Sequence, residues 1–585
     1  MKTMARFNLA AVLLSCAVCL NASAATRVVS VYAESLAALQ KQIFLGAEVF
    51  EAPALGALPM MITGVLPGAA QVDNTKPVAV HVINMGGSDV ELLVEMAPSG
   101  EVQAGLKALA GGGADVALPE PENGIYKLGE GAMAAKIAKG RLFFTPNADD
   151  PAAVLADGII GALPDLPAIP GGIRIALAPA AAAPMLEELK KAMAPDPDDD
   201  EDNAEAKKAQ AAMIPMVDMY LSMLGQIDAL YLGLDVQQAG LFIRTRLAPK
   251  AGTDMAAWVA SMKPAAQADL AFIEKGSFLS CASGGSTTPE RLKQQFTSFY
   301  MGLMNASPMM SAMPTNDLMK SLELSLRLDG MPSAFVCRPP ADDGALRIAG
   351  RWTLNDPAGY LADAIALNKS PDMQKSMLFA LAGSEVKERT GKNDLKISSW
   401  AFSSDEKAWK EMMSKAMPVG QDGEEREEAL KKSLEMFNVI KKLFGNGTEY
   451  AADGKNLLLG MGAPEMVEEA AERARNTAAK ASAEAERVEA LLKPSGDPNS
   501  LGVLSLSGMI KLGMGFADPK VAEAVKGVAA GEGVMFAGWP FKEEVLTALL
   551  VPPSEVKAIT ALVQATQSNS SRRGAPARPP IPDNF

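Results

Sequence analysis

Between residues 78 and 96 apolar and polar positions alternate. Val78, Val80 and Val82 are interleaved with Ala79, His81 and Ile83, and Val90, Leu92, Val94 and Met96 with Glu91, Leu93 and Glu95. A period of two marks half-buried strands. A three-residue loop, Gly86-Gly87-Ser88, sets Val82 opposite Leu92 and Val80 opposite Val94. A two-residue loop would set Val82 against Glu91, so the apolar rows select the longer turn. Pro98 then breaks the strand, and Val102, Leu106 and Leu109 follow at helical spacing.

This unit of strand or hairpin, corner and amphipathic helix recurs. In the stretch from Tyr231 to Met262, the strand Leu241 to Leu247 precedes Ala248-Pro249 and a helix with Met255, Trp258 and Met262. Further copies run from Leu346 to Leu367, with Asn355-Asp356-Pro357 as cap and first-turn proline, from Leu457 to Ala474, and from Leu546 to Val563. Val28 to Tyr32, followed by Leu36, Leu39 and Ile43, resembles Phe278 to Ala282 followed by Pro289 to Met301. The pattern predicts an α+β protein of two tandem halves, residues 25–265 and 266–566, each a mainly antiparallel sheet with helices packed on one side. Two long charged helices are expected in the second half, Glu424 to Phe444 and Pro464 to Leu492, the first with a stripe of Leu430, Leu434, Phe437 and Phe444. The acidic run Asp196 to Glu205 reads as a solvated loop, and residues 567–585 as a disordered Pro-rich tail.

The length exceeds what one core organises, which agrees with at least two domains. Lys2 and Arg6, an apolar stretch from Leu9 to Leu20, and Ala22-Ser23-Ala24 have the layout of a secretory signal peptide over residues 1–24. That apolar stretch is too short to span a bilayer and no later one supplies the length, so an integral membrane protein is not expected. A periplasmic or extracellular location follows. The alternative reads Leu13-Leu14-Ser15-Cys16 as a lipobox, with the protein anchored through Cys16. The formal charge is −14, and loss of the leader's basic residues makes it more negative. Such a surface repels phosphate backbones, which excludes nucleic acid as a partner. Outside the leader stand Cys281 and Cys337, either a disulfide in an oxidising compartment or two free thiols.

His81 is the only histidine. Zinc sites of the usual kinds need two or three, and a Ser-His or Cys-His nucleophile would have to use a residue in the middle of a strand. The plainer reading rests His81 against Glu91 or Glu95 across the hairpin. Gly129-Glu130-Gly131 and Gly460-Met461-Gly462 imitate phosphate loops, but Glu465, Glu468 and Glu469 follow the second and would oppose a bound phosphate. The run from Asp196 to Asp202 has Glu201 where a calcium loop needs glycine. Met301, Met304, Met309, Met310 and Met313 suggest a soft-metal site, or, with Met213, Met216, Met219 and Met223, an adaptable core or a groove for an apolar partner. No cofactor is implied. The reading is a non-catalytic binding or structural protein of the bacterial envelope that takes a protein or an apolar ligand. The alternative is a secreted hydrolase using carboxylates or a Ser-Lys pair, neither of which needs histidine.

Overall fold

The computed structural model describes residues 26–571 apart from 59–72, 87–88, 99, 111–116, 129–132, 147–148, 164–166, 180–186, 188–189, 192–213, 215–216, 307–314, 341–343, 371–381, 403–405, 417–422, 446, 494–495 and 518. The leader with Cys16, the acidic run Asp196 to Glu205 and all but the first residues of the expected tail lie outside the described residues. The helix Pro553–Ser571 extends into the segment 567–585 that the sequence suggests is irregular.

The chain is an α+β protein with a large antiparallel sheet. It divides into two compact units, the first comprising residues 1–260, 294–303 and 541–548, the second 261–293, 304–540 and 549–585. The first unit contains β1 (Thr26–Ala33), β2 (Val78–Gly86), β3 (Asp89–Met96), β4 (Ile125–Leu128), β5 (Met133–Ala138), β6 (Arg141–Pro146), β7 (Ile173–Leu177), β8 (Ile227–Gln237) and β9 (Gly240–Pro249). Across its sheet the order is β4-β5-β6-β3-β2-β1-β7-β8-β9. Val82 stands opposite Leu92 and Val80 opposite Val94, the register chosen by the apolar rows.

Helices cover both faces of this sheet, not one side. Val94, Met96, Leu142 and Phe144 pack with Leu106 and Leu109 of the helix Val102–Leu109. Their neighbours in sequence, Leu93 and Phe143, point the other way and pack with Val154, Leu155 and Ile160. Rows that look polar in sequence, such as Ala79-His81-Ile83, are therefore buried as well.

The second unit contains β10 (Leu279–Ser283), β11 (Ser333–Arg338), β12 (Arg347–Thr353), β13 (Ala382–Thr390), β14 (Lys396–Phe402), β15 (Thr448–Asp453), β16 (Asn456–Met461), β17 (Ser500–Leu504) and β18 (Val534–Phe541), and β19 (Glu544–Val551) follows. The order of the first nine is β13-β14-β15-β16-β12-β11-β10-β17-β18. Local capping sets the helices. Asp356 accepts a hydrogen bond from the Gly359 amide, with Pro357 in the first turn of the helix Pro357–Asn368. The helix Gly423–Phe444 buries Phe437 against Trp409. The expected helix from Pro464 to Leu492 is two helices, Glu465–Arg475 and Ala483–Leu492. Ser482 makes the break: its Oγ accepts from the Ala485 amide at 3.0 Å and donates to the Ile273 carbonyl at 2.6 Å.

Candidate functional site

The lone histidine lies in a closed row of polar groups. His81 Nδ1 is 2.7 Å from Ser30 Oγ, its Nε2 is 3.1 Å from Glu95 Oε2, and Arg141 Nη1 is 2.6 Å from Glu95 Oε1. Burial pushes the Glu95 carboxyl up, but the His81 hydrogen bond and the Arg141 charge outweigh it and hold the group below its ordinary value. Serine, histidine and carboxylate stand in triad-like sequence here, yet Ser30 and His81 are both 0% exposed. No scissile carbonyl reaches the hydroxyl, so the row is a structural core network, in which Ser30, His81 and Glu95 are bonded and Arg141 Nε is left without a partner. The sequence already placed His81 beside Glu91 or Glu95; Glu95 takes it, while Glu91 accepts from the Asp149 amide.

In the second unit Glu468, Glu469 and Arg473 of the helix Glu465–Arg475 are half-buried in ion pairs, while Glu465, Glu472 and Arg475 are exposed. Arg338 bonds both Glu274 and Glu469, and Arg473 bonds the same two carboxylates. Arg389 bonds Glu449 and Glu468. Gly460 is present because the helix lies directly on it: a Cβ there would come within 2.3 Å of the Val467 backbone nitrogen. The glycine pair is a packing device, and the glutamates beyond it are partners of arginines. Gly129-Glu130-Gly131 and most of the methionine run lie outside the described residues; Met219 is buried in the core.

An accessible cluster lies between the helix Thr315–Leu328 and the helix Pro357–Asn368. The two border a cleft of about 430 Å³ whose polar lining is Asp317, Lys320, Glu323, Arg327, Asp363 and Ser370. Asp317, Lys320, Leu324 and Arg327 fall at helical spacing on one face of the first helix. Asp363 reaches across from the second, where its Oδ2 is 2.6 Å from Arg327 Nη1, and Arg327 lies over the Tyr360 ring at 5.2 Å. Asp317 is 6% exposed, and its Oδ2 accepts from Ser370 Oγ at 2.5 Å. Lys320 Nζ is 4.0 Å from Asp317 Oδ1, beyond hydrogen-bond distance. The serine and the lysine thus both address Asp317. A Ser-Lys nucleophile requires the amine on the serine oxygen. Nothing local in the sequence joins Ser370 to Asp317, and only the helical spacing of Asp317, Lys320 and Arg327 signals this face.

Cys281 and Cys337 stand on adjacent strands as free thiols. Cys281 is opposite Phe335 and Cys337 opposite Leu279, so the two share a face but meet only on the diagonal. Diagonal partners have Cα atoms about 7–8 Å apart, more than a disulfide spans without backbone movement. Burial pushes each thiol up to about 11. No group of histidine, cysteine and carboxylate side chains among the described residues is placed to hold a metal ion, and no described helix is long and apolar enough to cross a membrane. No protein-family model, curated protein or solved structure matches this chain.

Proposed function

We propose that this chain is a secreted or periplasmic, non-catalytic binding protein of the bacterial envelope. It is built from two copies of one α+β fold, and its partner or ligand enters the cleft between Thr315–Leu328 and Pro357–Asn368. The observation that carries the reading is that Ser370 and Lys320 are both turned onto Asp317 and not onto each other. Groups arranged in this way hold charge in place, and the serine proton is already committed to a carboxylate.

The tandem reading is supported by the strand orders. With β13 set aside, β14, β15, β16, β12, β11, β10, β17 and β18 follow the path of β4, β5, β6, β3, β2, β1, β7 and β8. Ser30 and Ser280, both 0% exposed, then occupy matching places on the central strand, and Glu95 of the first unit corresponds to Arg351 of the second.

The alternative hydrolase would use the same carboxylates and Ser370. Chromogenic esters and glycosides offered to the purified protein and to Ser370→Ala separate the two readings. Turnover that disappears in the variant would sink the non-catalytic one. The intact mass of the protein from its native host tests the location, because a chain starting at Ala25 supports export and one retaining Met1 to Ala24 removes it.

A further inference from the structure

We infer that the cleft of the second unit receives an alkylammonium group, the chemistry shared by a lysine side chain and a free linear amine. This rests on the reading of the cleft as a binding site and adds what enters it.

Charge comes first. The polar lining has three carboxylates against two cations. Asp363 is answered by Arg327, and Lys320 is the cation nearest Asp317. Among the described residues Glu323 has no ion pair, so one negative charge is in excess, and a carboxylate or phosphate ligand would add to it.

Hydrogen-bond capacity narrows the choice. Asp317 is more than nine-tenths buried, one of its oxygens takes the Ser370 hydroxyl, and the other has only an ammonium at 4.0 Å. That second oxygen stays open to the cleft, where a ligand bringing one N–H can take the place of solvent. A guanidinium is strongest when its flat fork meets both oxygens of a carboxylate, and here one oxygen is taken. A compact ammonium needs a single oxygen. Lys320 does not block it, because its side chain is 66% exposed and can withdraw into water.

Shape supplies the rest. Leu324, Ala366 and Leu367 line the same cleft and give methylene groups an apolar wall. A charged head with an aliphatic stem matches both parts of the lining, whereas an uncharged apolar ligand would leave Asp317 unanswered.

The test is calorimetric titration of the full mature chain with 1-aminopentane, with hexanoate and pentylguanidine as controls. Saturable binding of the amine is expected, with little from either control. Asp317→Asn should weaken it about tenfold, the loss of one charge-assisted hydrogen bond. Glu323 is exposed, so Glu323→Gln leaves the fold alone and should weaken binding about twofold to threefold by removing the surplus charge. Lys320→Met should tighten it by removing a competing cation. Tighter binding of 1,5-diaminopentane than of Nα-acetyl-lysine methylamide assigns the site to free amines, and the reverse order to lysine side chains. Absence of saturable amine binding, or amine binding that Asp317→Asn and Glu323→Gln both leave unchanged, overturns the inference. Preferred binding of hexanoate or pentylguanidine in the cleft overturns it too, while the cleft's reading as a binding site stands. That reading falls separately, if Ser370→Ala abolishes turnover of an ester or glycoside.

Discussion

Arg351 of β12 and Asp269, 82 residues apart in sequence, form an ion pair that water scarcely reaches: Nε lies 2.7 Å from Oδ1, and the side chains are 8% and 4% exposed. Arg351 also donates to the Ala474 carbonyl and lies over the Phe272 ring at 5.9 Å. One guanidinium thereby joins the sheet to the segment 269–272 and to the end of the helix Glu465–Arg475.

Removing one partner strands the other's charge. Arg351→Met should lower the stability of the second unit by about 3–5 kcal/mol, the usual result of leaving a buried carboxylate unpaired. Adding Asp269→Leu should recover most of the loss, because the pair's desolvation cost goes with it. Urea unfolding of the single and double variants measures both, and equal losses in the two would show that packing, not charge, is at stake.

The cluster of Glu274, Arg338, Glu469 and Arg473 makes stability depend on pH in a defined direction. Burial raises the Glu274 carboxyl, but hydrogen bonds from Arg338 and Arg473 outweigh it and leave the group below its ordinary value. A carboxyl depressed in the folded state binds its proton more readily when unfolded. Its contribution is therefore complete above the unfolded value of about 4.3 and fades as pH falls through the lower, folded one. Thermal midpoints measured from pH 6 down to pH 3 should fall, and Glu274→Gln should start lower and fall less. Parallel slopes for the two proteins would remove Glu274 from the acid response.

The thiols give a chemical prediction. With both raised to about 11, only a small fraction of Cys281 and Cys337 is thiolate at pH 8. Iodoacetamide should label them slowly in the native protein and quickly in denaturant, each adding one carbamidomethyl group without prior reduction. An unreduced mass two hydrogens short, with no labelling in denaturant, would instead establish the disulfide.

What could be read from the sequence was local. The pairing of Val82 with Leu92 follows from alternation and a glycine turn within twenty residues, and the cap at Asp356 from three consecutive letters. The split between Glu465–Arg475 and Ala483–Leu492 was hidden because the alanine-rich stretch between them continues a helical pattern. The bond that stabilises the break, Ser482 to the Ile273 carbonyl, joins residues 209 apart in sequence. The second helical face was hidden for a related reason: Ala79, His81 and Ile83 look like a mixed row until Ser30 and Glu95 satisfy the histidine. The cleft depends on Asp317 meeting Ser370, which is a matter of how two helices pack.

Strand order also decides the order in which each unit can assemble. The strand that begins each unit ends up inside its sheet: β1 between β2 and β7, and β10 between β11 and β17. Its first neighbour arrives early, but its second does not exist until Leu177 or Leu504 has been made. Throughout that interval one long edge of a strand rich in valine or small residues has no partner. Pairings so distant along the chain are slow to close, and an open edge is where another chain can add on. Neither sheet closes around its first strand until β7 or β17 has been made, and until then that strand offers an open edge to a neighbouring chain.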